Sequence, residues 1–462
     1  MKAMSVSQTS PAVAASLPLR ALPPGPDGQW LFGSLRDFRR DILGFYTHCA
    51  KNYGDIVPYR LGFQRLCLLN HPDFTELVLT TDNKNYDKRT YILKLLTPVL
   101  GNGLLTSEGD FWLRQRRLIQ PAFHKQRIHT YGNVMVEYTL RMLARWQHGE
   151  SRDLHADMMR LALEIVGKTL FDADVANDAK EVGDCLEVVM DRFIRRWEGL
   201  IPVPDWLPTP ANLHFKRTLR QLDAIIYKMI AQRRQSGEDR GDLLSLLLQA
   251  RDEDDGTGMT DLQLRDEAMT LFLAGHETTA NALSWTWYLL AQHPEVETKL
   301  LQELDTVLHG LPPTVADLPR LVYCEHVLME AMRLYPPAYG FGRLAKVDCA
   351  IGGYRIPNGT TVILCPWVTH RDARWFDDPL AFRPERWAGD AAKRMPRYAY
   401  FPFGGGPRQC IGNAFAMMEA TLVLATVAPH YHFTLRPDPP VTPRAVVTLR
   451  PAHGIPVVIS CR

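Results

Sequence analysis

The chain carries the stretch Phe401-Pro-Phe-Gly-Gly-Gly-Pro-Arg-Gln-Cys-Ile-Gly-Asn-Ala-Phe415, in which a glycine-rich turn leads to Cys410 and then to an apolar run over residues 414–427. The successive glycines 404–406 allow left-handed or extended backbone and leave a surface that a flat molecule can approach. We predict Cys410 at or just before a helix N-terminus, where unpaired N–H groups and the helix dipole favour an anion. This position favours a thiolate, the form of cysteine that binds metal, and Arg408 adds a positive charge suited to a carboxylate.

Taken alone, a lone cysteine is more often a small buried hydrophobic residue, and a run of glycines is usually just a loop. The spacing favours the metal-binding interpretation. Phe403-x-x-Gly406-x-Arg408-x-Cys410-x-Gly412 resembles the haem-binding signature of the cytochrome P450 family, with every fixed position present. The resemblance implies that Cys410 is the axial thiolate ligand of a haem iron. It also implies further haem-binding positions in this loop: Arg408, Phe403, Gly404 and Gly412.

Length and composition are those of an ordinary globular protein. The 462 residues suggest two or three domains by length alone, but no Gly/Ser-rich or charged linker divides the chain. A formal charge of +2 argues against a dedicated nucleic-acid binder. The eight cysteines are scattered without a C-x-x-C pair, which is typical of a reducing cytosol and not of a disulfide framework or a zinc ribbon. We therefore expect a cytoplasmic protein.

The N-terminal 26 residues are rich in Ser, Ala and Pro. They are too interrupted to span a bilayer, which needs about 20 apolar residues. The stretch Ala12–Leu17 is too short and too weakly apolar for a secretory signal. We predict a flexible arm over residues 1–26, followed by one domain over residues 27–462 that is soluble and has no transmembrane anchor.

Apolar periodicity predicts the elements of the N-terminal region. These are a helix over Phe38–Asn52, a hairpin of strands over Asp55–Leu61 and Arg65–Leu69, and a short helix from His71 to about Leu79. The apolar patch Tyr91–Leu96 precedes a glycine-bounded turn, and we predict that it forms a lid or a packed Ω-loop.

A basic helix is predicted from Asp110-Phe-Trp-Leu-Arg-Gln-Arg-Arg117. Trp112 and Arg116 are four residues apart and therefore share a face. By itself this pattern is typical of a solvated basic helix with one anchoring Trp. It also resembles the family's propionate-binding helix, because an indole N–H and a guanidinium suit haem carboxylates. The other basic residues of this region predict a basic face on which an acidic electron donor would dock: Arg114, Arg117, Lys125 and Arg127.

The longest helix is predicted from about Asp261 to Gln292, after the capping-box-like Thr260-x-x-Gln263. About 32 residues would make a rod of roughly 48 Å. Its middle, Ala274-Gly-His-Glu-Thr-Thr279, is unusual because Gly and two β-branched threonines lower helix propensity. The Thr278 hydroxyl can bond the carbonyl of Ala274 and locally open the helix.

This middle segment has three interpretations. His276-Glu277 begins like the zinc-protease motif H-E-x-x-H, but Ala280 occupies the last position, which argues against a protease. A distorted structural helix is a second interpretation. The segment also resembles the family's oxygen-activation motif. That resemblance implies that Glu277 and Thr278 are catalytic and support proton delivery to dioxygen, with Ala274 beside the haem.

A later helix is predicted over Leu318–Leu334 and carries Glu330-x-x-Arg333, a spacing that is common on surfaces and contributes little there. It resembles the family's E-x-x-R, which pairs with an arginine in a later P-E-R segment, here Arg386. The resemblance implies a structural triad that supports the haem loop. Arg343 lies where the family often places another propionate ligand.

The remaining predicted elements complete the chain. Two strands are predicted at Asp348–Ile356 and Thr360–Pro366, and three closing strands at Tyr431–Leu435, Val446–Leu449 and Ile455–Ser460. Between two helical stretches, the proline-rich Gly199–Pro210 resembles the family's mobile roof over the substrate pocket.

The resemblance extends from Leu22-Pro-Pro-Gly-Pro26 to the last strands, with the motifs in the family's order. It implies a mainly α (α+β) fold, a cytochrome P450 fold with a large helical domain and a small β-rich region. Haem b (iron protoporphyrin IX) would lie between the long helix over Asp261–Gln292 and the helix that begins after Cys410. The implied activity is monooxygenation with O2, by hydroxylation or epoxidation. A monomer would receive electrons from a separate ferredoxin or flavodoxin with its NAD(P)H reductase, because no flavin or iron–sulfur module fits in the chain.

Two alternatives stay open: a peroxide-driven or isomerising haem-thiolate enzyme on the same fold, and a non-enzymatic haem protein that senses or binds a ligand. The intact segment 274–279 favours oxygen activation over both. The candidate pocket is largely apolar, so a small hydrophobic substrate such as a fatty acid, terpenoid or steroid is expected. The candidate pocket residues are Tyr91–Leu96, Leu271–Ala274, Ala338–Phe341 and Val446–Leu449.

Overall fold

Helices dominate the computed structural model, which describes residues 20–172, 175–198, 204, 206–252, 256–389 and 394–462. The predicted mainly α fold with a small β-rich region is confirmed. The helices are α1 (Leu35–Arg40), α2 (Ile42–Tyr53), α3 (Pro72–Glu76), α4 (Tyr91–Leu100), α5 (Gly109–Ile119), α6 (Lys125–Thr130), α7 (Gly132–Leu143), α8 (Leu154–Phe171), α9 (Val175–Glu198), α10 (Pro210–Ser236), α11 (Leu243–Gln249), α12 (Asp261–Leu290), α13 (Pro294–Leu308), α14 (Val322–Leu334), α15 (Pro366–Thr369) and α16 (Asn413–Val427).

The strands form small sheets beside the helices. The largest has the order β1-β2-β8-β5-β3, in which only β2 and β8 run parallel. Strand β12 lies between β4 and β9, and β6–β7 and β10–β11 are antiparallel pairs. The strands are β1 (Ile56–Leu61), β2 (Gln64–Leu69), β3 (Tyr86–Asp87), β4 (Ser151–Asp153), β5 (Phe341–Ala345), β6 (Cys349–Ile351), β7 (Tyr354–Ile356), β8 (Thr361–Leu364), β9 (Tyr431–Leu435), β10 (Pro443–Ala445), β11 (Leu449–Pro451) and β12 (Pro456–Cys461).

The central element is α12, which packs against α8, α10, α14 and α16. Thr260 and Gln263 form the predicted capping box at its start, and the helix ends at Leu290, two residues before the predicted end. Its residues are buried on nearly every side, including Trp285 and Trp287. A helix buried all round belongs to the core of a large domain, so α12 fixes whatever its middle segment presents.

Several predicted elements differ from the structure. The predicted strand Asp348–Ile356 is the antiparallel pair β6 and β7, and the predicted helix Phe38–Asn52 is divided at Asp41 into α1 and α2. Tyr91–Leu96 is not a loop: it forms the first turns of α4, which buries Leu96, Val99 and Leu100 at helical spacing and ends at Gly101. The apolar patch therefore packs as one face of a helix. Val446–Leu449 is not a strand, because a turn separates β10 from β11 and the Val446 N–H bonds the Thr448 carbonyl oxygen at 3.1 Å.

Parts of the sequence predictions lie outside the described residues. Most of the predicted arm does so, up to residue 19, while Arg20 exchanges backbone hydrogen bonds with Gly353 and Arg355 beside β7. The predicted roof over 199–210 is described only at 204 and from 206 onward. Within the described ranges, each helix is too short or too polar to cross a membrane.

Candidate active site

Glycines shape the loop that carries Cys410. Gly404 and Gly406 have φ values of +66° and +64°, and Gly405 is extended, as the sequence predicts. A Cβ on Gly406 would lie 1.8 Å from the carbonyl oxygen of Leu79, so this loop approaches the preceding backbone too closely for any side chain. The Cys410 N–H bonds the Phe403 carbonyl oxygen at 3.0 Å. The loop is therefore a fixed support for the cysteine.

The Cys410 thiol lies before α16, which begins at Asn413 with Gly412 as its N-cap. The thiol is accessible to solvent, although protein atoms surround the space into which it points. Burial raises the pKa of the thiol, while the Gly412 N–H and the charges of Arg116 and Lys88 act in the opposite direction. The expectation that this position by itself favours a thiolate is wrong, because desolvation outweighs the local donors. A cation bound at the sulfur would reverse this balance.

Positive side chains gather beside the cysteine around one carboxylate, Glu108. Arg408 Nη2 lies 2.5 Å from Glu108 Oε2, and the Lys88 backbone N–H donates to Oε1 at 2.8 Å. Burial, together with the positive charge of Arg408, lowers the pKa of Arg343 to about 10. Burial also lowers the pKa of Lys88 well below its ordinary value, with Arg343 and Arg408 acting in the same direction. Because these three side chains repel one another, anionic groups bound beside them would stabilise their charged forms.

The predicted Trp112–Arg116 pair lies on α5, facing the cysteine loop. The Arg408 guanidinium lies over the Trp112 ring at 3.7 Å from its centroid. Arg116 Nη1 donates to the carbonyl oxygen of Gln409 at 2.8 Å. Cation–π and charge-assisted contacts thus fasten α5 to the residues beside Cys410. The haem-binding role of these side chains stays a prediction.

The predicted basic face on α5 is smaller than the residue count suggests. Arg114 Nε lies 3.2 Å from Asp252 Oδ2, and Arg127 donates to the Gly241 carbonyl oxygen at 3.5 Å. Arg116 turns inward, as described above, whereas Arg117 is exposed. Lys125 has a side chain outside the described part of the structure.

The middle of α12 presents Thr278 and Ala274 to the same space. Thr278 Oγ1 donates to the Ala274 carbonyl oxygen at 2.6 Å, so the predicted bond is confirmed. The helix nevertheless runs continuously from Asp261 to Leu290, and the predicted local opening is wrong. Ala274 is exposed although its neighbour Leu273 is buried, which shows that α12 borders an open space at this turn.

Glu277 points elsewhere, toward the turn between β10 and β11. Thr448 Oγ1 donates to Glu277 Oε1 at 2.6 Å, and Glu277 is only 3% exposed. Burial raises the pKa of the Glu277 carboxyl, while the Thr448 hydrogen bond and the charge of Arg450 lower it. Sequence reasoning missed Thr448 as a partner, because 171 residues separate it from Glu277 and no spacing signal connects them.

The predicted triad is confirmed as a buried cluster below the loop. Glu330 Oε1 lies 2.8 Å from both Arg333 Nη2 and Arg386 Nε. Arg333 also donates to the His370 carbonyl oxygen at 2.7 Å, and the Phe401 N–H donates to His370 Nε2 at 2.9 Å. This chain of contacts connects the triad to the start of the cysteine loop. Burial keeps the pKa of His370 well below its ordinary value, so the ring stays a neutral acceptor.

Comparison with known proteins agrees with this architecture. The model of the family "Cytochrome P450" matches residues 23–455. Cyclooctatin synthase of Streptomyces melanosporofaciens is 39% identical and covers 92% of this chain and 92% of its own length. Cyclooctat-9-en-7-ol 5-monooxygenase of the same species is 37% identical over 84% of each chain. Pentalenene oxygenase of Streptomyces avermitilis is 37% identical over 86% of this chain and 88% of its own.

The chain belongs to the cytochrome P450 family. It is a P450 monooxygenase, and the family implies a haem cofactor, dioxygen and a hydrophobic substrate.

The site's residues fit a haem. Arg408 Nη1 is buried without a hydrogen-bond partner among the described residues, as a donor awaiting an acceptor would be. No group of three or more His, Cys, Asp or Glu converges in the part of the chain that is described, so Cys410 would be a lone protein ligand. A single protein ligand would suit a metal whose remaining ligands come from a macrocycle.

Proposed function

We propose that this monooxygenase binds haem b through Cys410 and oxidises a terpenoid-like hydrophobic substrate. The observation that supports this proposal most is the charge around the accessible Cys410 thiol. Arg116 and Lys88 are close enough to lower its pKa, and Arg343 and Arg408 lie beside Lys88. Two relatives are named for the oxidation of pentalenene and cyclooctat-9-en-7-ol, which favours a terpenoid over a fatty acid or a steroid.

The haem would supply the activation of dioxygen: one oxygen atom enters a C–H or C=C bond, and the other leaves as water with two protons and two electrons. Cys410 would hold the iron as a thiolate, a ligand that pushes electron density toward the metal. Arg408, Arg343 and Lys88 would offset the propionate charges, and Trp112 and Arg116 on α5 would also bind the propionates, as the sequence predicts. Neutralising these cations would also relieve the repulsion that lowers their pKa values.

Two side chains of α12 would handle protons. Thr278 carries one at Oγ1, which the Ala274 carbonyl oxygen holds in the structure described here. Glu277 would carry another, because burial raises its pKa and keeps the carboxyl protonated to a higher pH than in water. A carboxyl whose pKa is raised above that of a free carboxyl can give and regain a proton more efficiently near neutral pH.

We infer that the electrons come from a separate ferredoxin or flavodoxin with an NAD(P)H reductase. Docking would use the exposed part of α5 near Arg117, on the helix that contacts the cysteine loop through Arg116. The catalytic unit would be one domain over residues 27–462 that works as a cytoplasmic monomer. Eight free cysteines support a reducing compartment.

The first test is the carbon monoxide difference spectrum of the dithionite-reduced protein. Wild type should show the red-shifted Soret band of thiolate ligation, and Cys410→Ser should lose it. Cys461→Ser is the matched control, because Cys461 is the other exposed cysteine. A band that survives in Cys410→Ser would show that another residue is the ligand. A wild-type protein that takes up no haem would refute the whole proposal.

The substrate class has its own test. Titration of the ferric protein with pentalenene should shift the haem spin state, and turnover with a surrogate ferredoxin, its reductase and NADPH should give an oxygenated product. A long-chain fatty acid and a steroid serve as comparison probes. If the fatty acid or the steroid is oxidised and pentalenene is not, the terpenoid assignment is wrong while the haem assignment stands.

A further inference from the structure

Glu277 is held by a residue from the far end of the chain. Thr448 Oγ1 donates to Glu277 Oε1 at 2.6 Å, and Thr448 is itself only 7% exposed. A buried hydrogen bond of this length to a carboxyl is strong enough to influence both its orientation and its proton affinity. Thr448 is therefore a neighbour with a direct effect on the acid of α12.

The Thr448 hydroxyl is itself oriented. Asn281 Nδ2 donates to Thr448 Oγ1 at 3.1 Å, and Asn281 is fully buried. Asn281 follows Glu277 by four residues, so both lie on the same face of α12. Because the amide N–H occupies one lone pair of the hydroxyl oxygen, the single hydroxyl hydrogen is directed to Glu277. The contacts run in one direction, from Asn281 through Thr448 to Glu277.

The turn that carries Thr448 is firmly attached. The Leu449 N–H donates to the Pro337 carbonyl oxygen at 2.9 Å, and Trp285 Nε1 donates to the Leu449 carbonyl oxygen at 2.9 Å. On the other side, Tyr339 Oη donates to the Val446 carbonyl oxygen at 2.8 Å. A residue supported by hydrogen bonds from both flanks is pre-organised, so the position of Thr448 is a property of the fold.

The charged neighbourhood of Glu277 is small. From β11, Arg450 lowers the pKa of the carboxyl. On the same helix, burial lowers the pKa of His276 to about 4, and on α8 it lowers that of His155 to about 4. Both rings are therefore neutral near pH 7. Thr448 and Arg450 are thus the interactions that favour the ionised carboxyl against its burial.

We propose that Thr448, oriented by Asn281, is a positioning residue for Glu277 in the monooxygenase reaction. By donating to Oε1 it leaves Oε2 as the oxygen that carries the proton, and so fixes the direction from which Glu277 gives and regains it. Deleting this hydrogen bond would leave the carboxyl free to rotate and would make its ionisation harder. The proposal rests on the role proposed above for Glu277.

The test is Thr448→Val in the haem-loaded enzyme, with pentalenene as the probe and electrons from a surrogate ferredoxin. We measure the fraction of electrons recovered in product from pH 6 to 9. Loss of a donor to the carboxylate should raise the pKa of Glu277. The change in electron recovery that reports the ionisation of Glu277, the pH limb, should therefore move to higher pH by about one unit. Thr448→Ser should restore the wild-type profile. Asn281→Leu should move the limb in the same direction by a smaller amount.

A second readout does not depend on turnover. The infrared band of the protonated Glu277 carboxyl, assigned by its loss in Glu277→Gln, should shift to higher frequency in Thr448→Val because its carbonyl loses a donor. The matched control is Thr442→Val, since Thr442 is an exposed threonine on the same segment. If Thr448→Val changes neither the band nor the pH limb, Thr448 does not position Glu277. A shifted band in a protein whose Glu277→Gln variant keeps full coupling would instead refute the proposed role of Glu277.

Discussion

Gly406 lies where the cysteine loop passes against the backbone of Leu79. Its φ is +64°, and a Cβ added there would lie 1.8 Å from the Leu79 carbonyl oxygen, whereas real Cβ contacts stay beyond 3.0 Å. Gly406→Ala therefore requires the two backbone segments to separate by about 1.2 Å, the difference between these distances. Because the Gln409 N–H bonds the Gly406 carbonyl oxygen at 3.1 Å, this movement would be passed on toward Cys410.

We expect Gly406→Ala to lower the free energy of unfolding by roughly 3 kcal/mol. Of this, about 1 kcal/mol comes from the left-handed backbone, and about 2 kcal/mol from the displaced neighbour. Gly353→Ala is the matched control, because Gly353 has a φ of +81° and no atom within 4 Å of the added Cβ. That control should lose only the backbone contribution, about 1 kcal/mol.

Urea unfolding followed by tryptophan fluorescence measures both variants, and absorbance measures the haem bound per polypeptide. Gly406→Ala should lose both stability and haem content, whereas Gly353→Ala should keep its haem. Equal losses of stability in the two variants, within about 0.5 kcal/mol, would refute the close-approach reasoning. Full haem content in Gly406→Ala would refute the connection between this glycine and Cys410.

Three further predictions concern Glu267, Glu330 and Thr278. Burial raises the pKa of Glu267 to about 7, so the folded chain holds a proton that the unfolded chain releases near pH 4.5, and wild-type stability should fall as pH rises between these values. Glu267→Gln should remove this fall. Relative to wild type, its free energy of unfolding should therefore rise by about 2–3 kcal/mol more at pH 8 than at pH 5 in urea titrations. An equal change at both pH values would contradict this prediction. Glu330→Gln should lower the free energy of unfolding by about 3–5 kcal/mol and remove most of the bound haem, because it leaves two buried arginines without their carboxylate. The control Glu385→Gln breaks an exposed ion pair and should lower the free energy of unfolding by under about 1 kcal/mol. Thr278→Val should divert electrons into hydrogen peroxide and lower product per electron about tenfold or more, while Thr286→Val, which deletes the same type of bond two turns later, should leave coupling unchanged.

Local rules made much of this molecule predictable. The capping box of α12, the Thr278–Ala274 bond and the conformation of Gly404–Gly406 each depend on residues within four positions of one another. The Glu330 triad was predictable for a different reason: the resemblance to the cytochrome P450 family implied it, although Arg386 lies 56 residues after Glu330.

What sequence reasoning missed depends on contacts between distant segments. Nothing in the spacing connects Thr448 to Glu277, or His370 to the N–H of Phe401, because each pair meets only in the folded chain. The direction of the Cys410 pKa was mistaken for the same reason: helix N-terminus and arginine are visible in sequence, whereas desolvation depends on the whole surrounding structure. Glu108, the N-cap residue of α5, is another such case, because Arg408 meets it only in the folded chain.

The raised pKa of Cys410 has a consequence for the life of the newly made chain. A thiol attacks disulfides, peroxides and alkylating agents as its thiolate, and burial keeps this one mainly protonated at neutral pH. The folded polypeptide that has not yet bound haem would therefore carry its proposed metal ligand in a less reactive, protonated form. If Cys410 is the iron ligand proposed above, binding of the metal would favour its thiolate, and the sulfur would be less reactive before haem binds than afterwards.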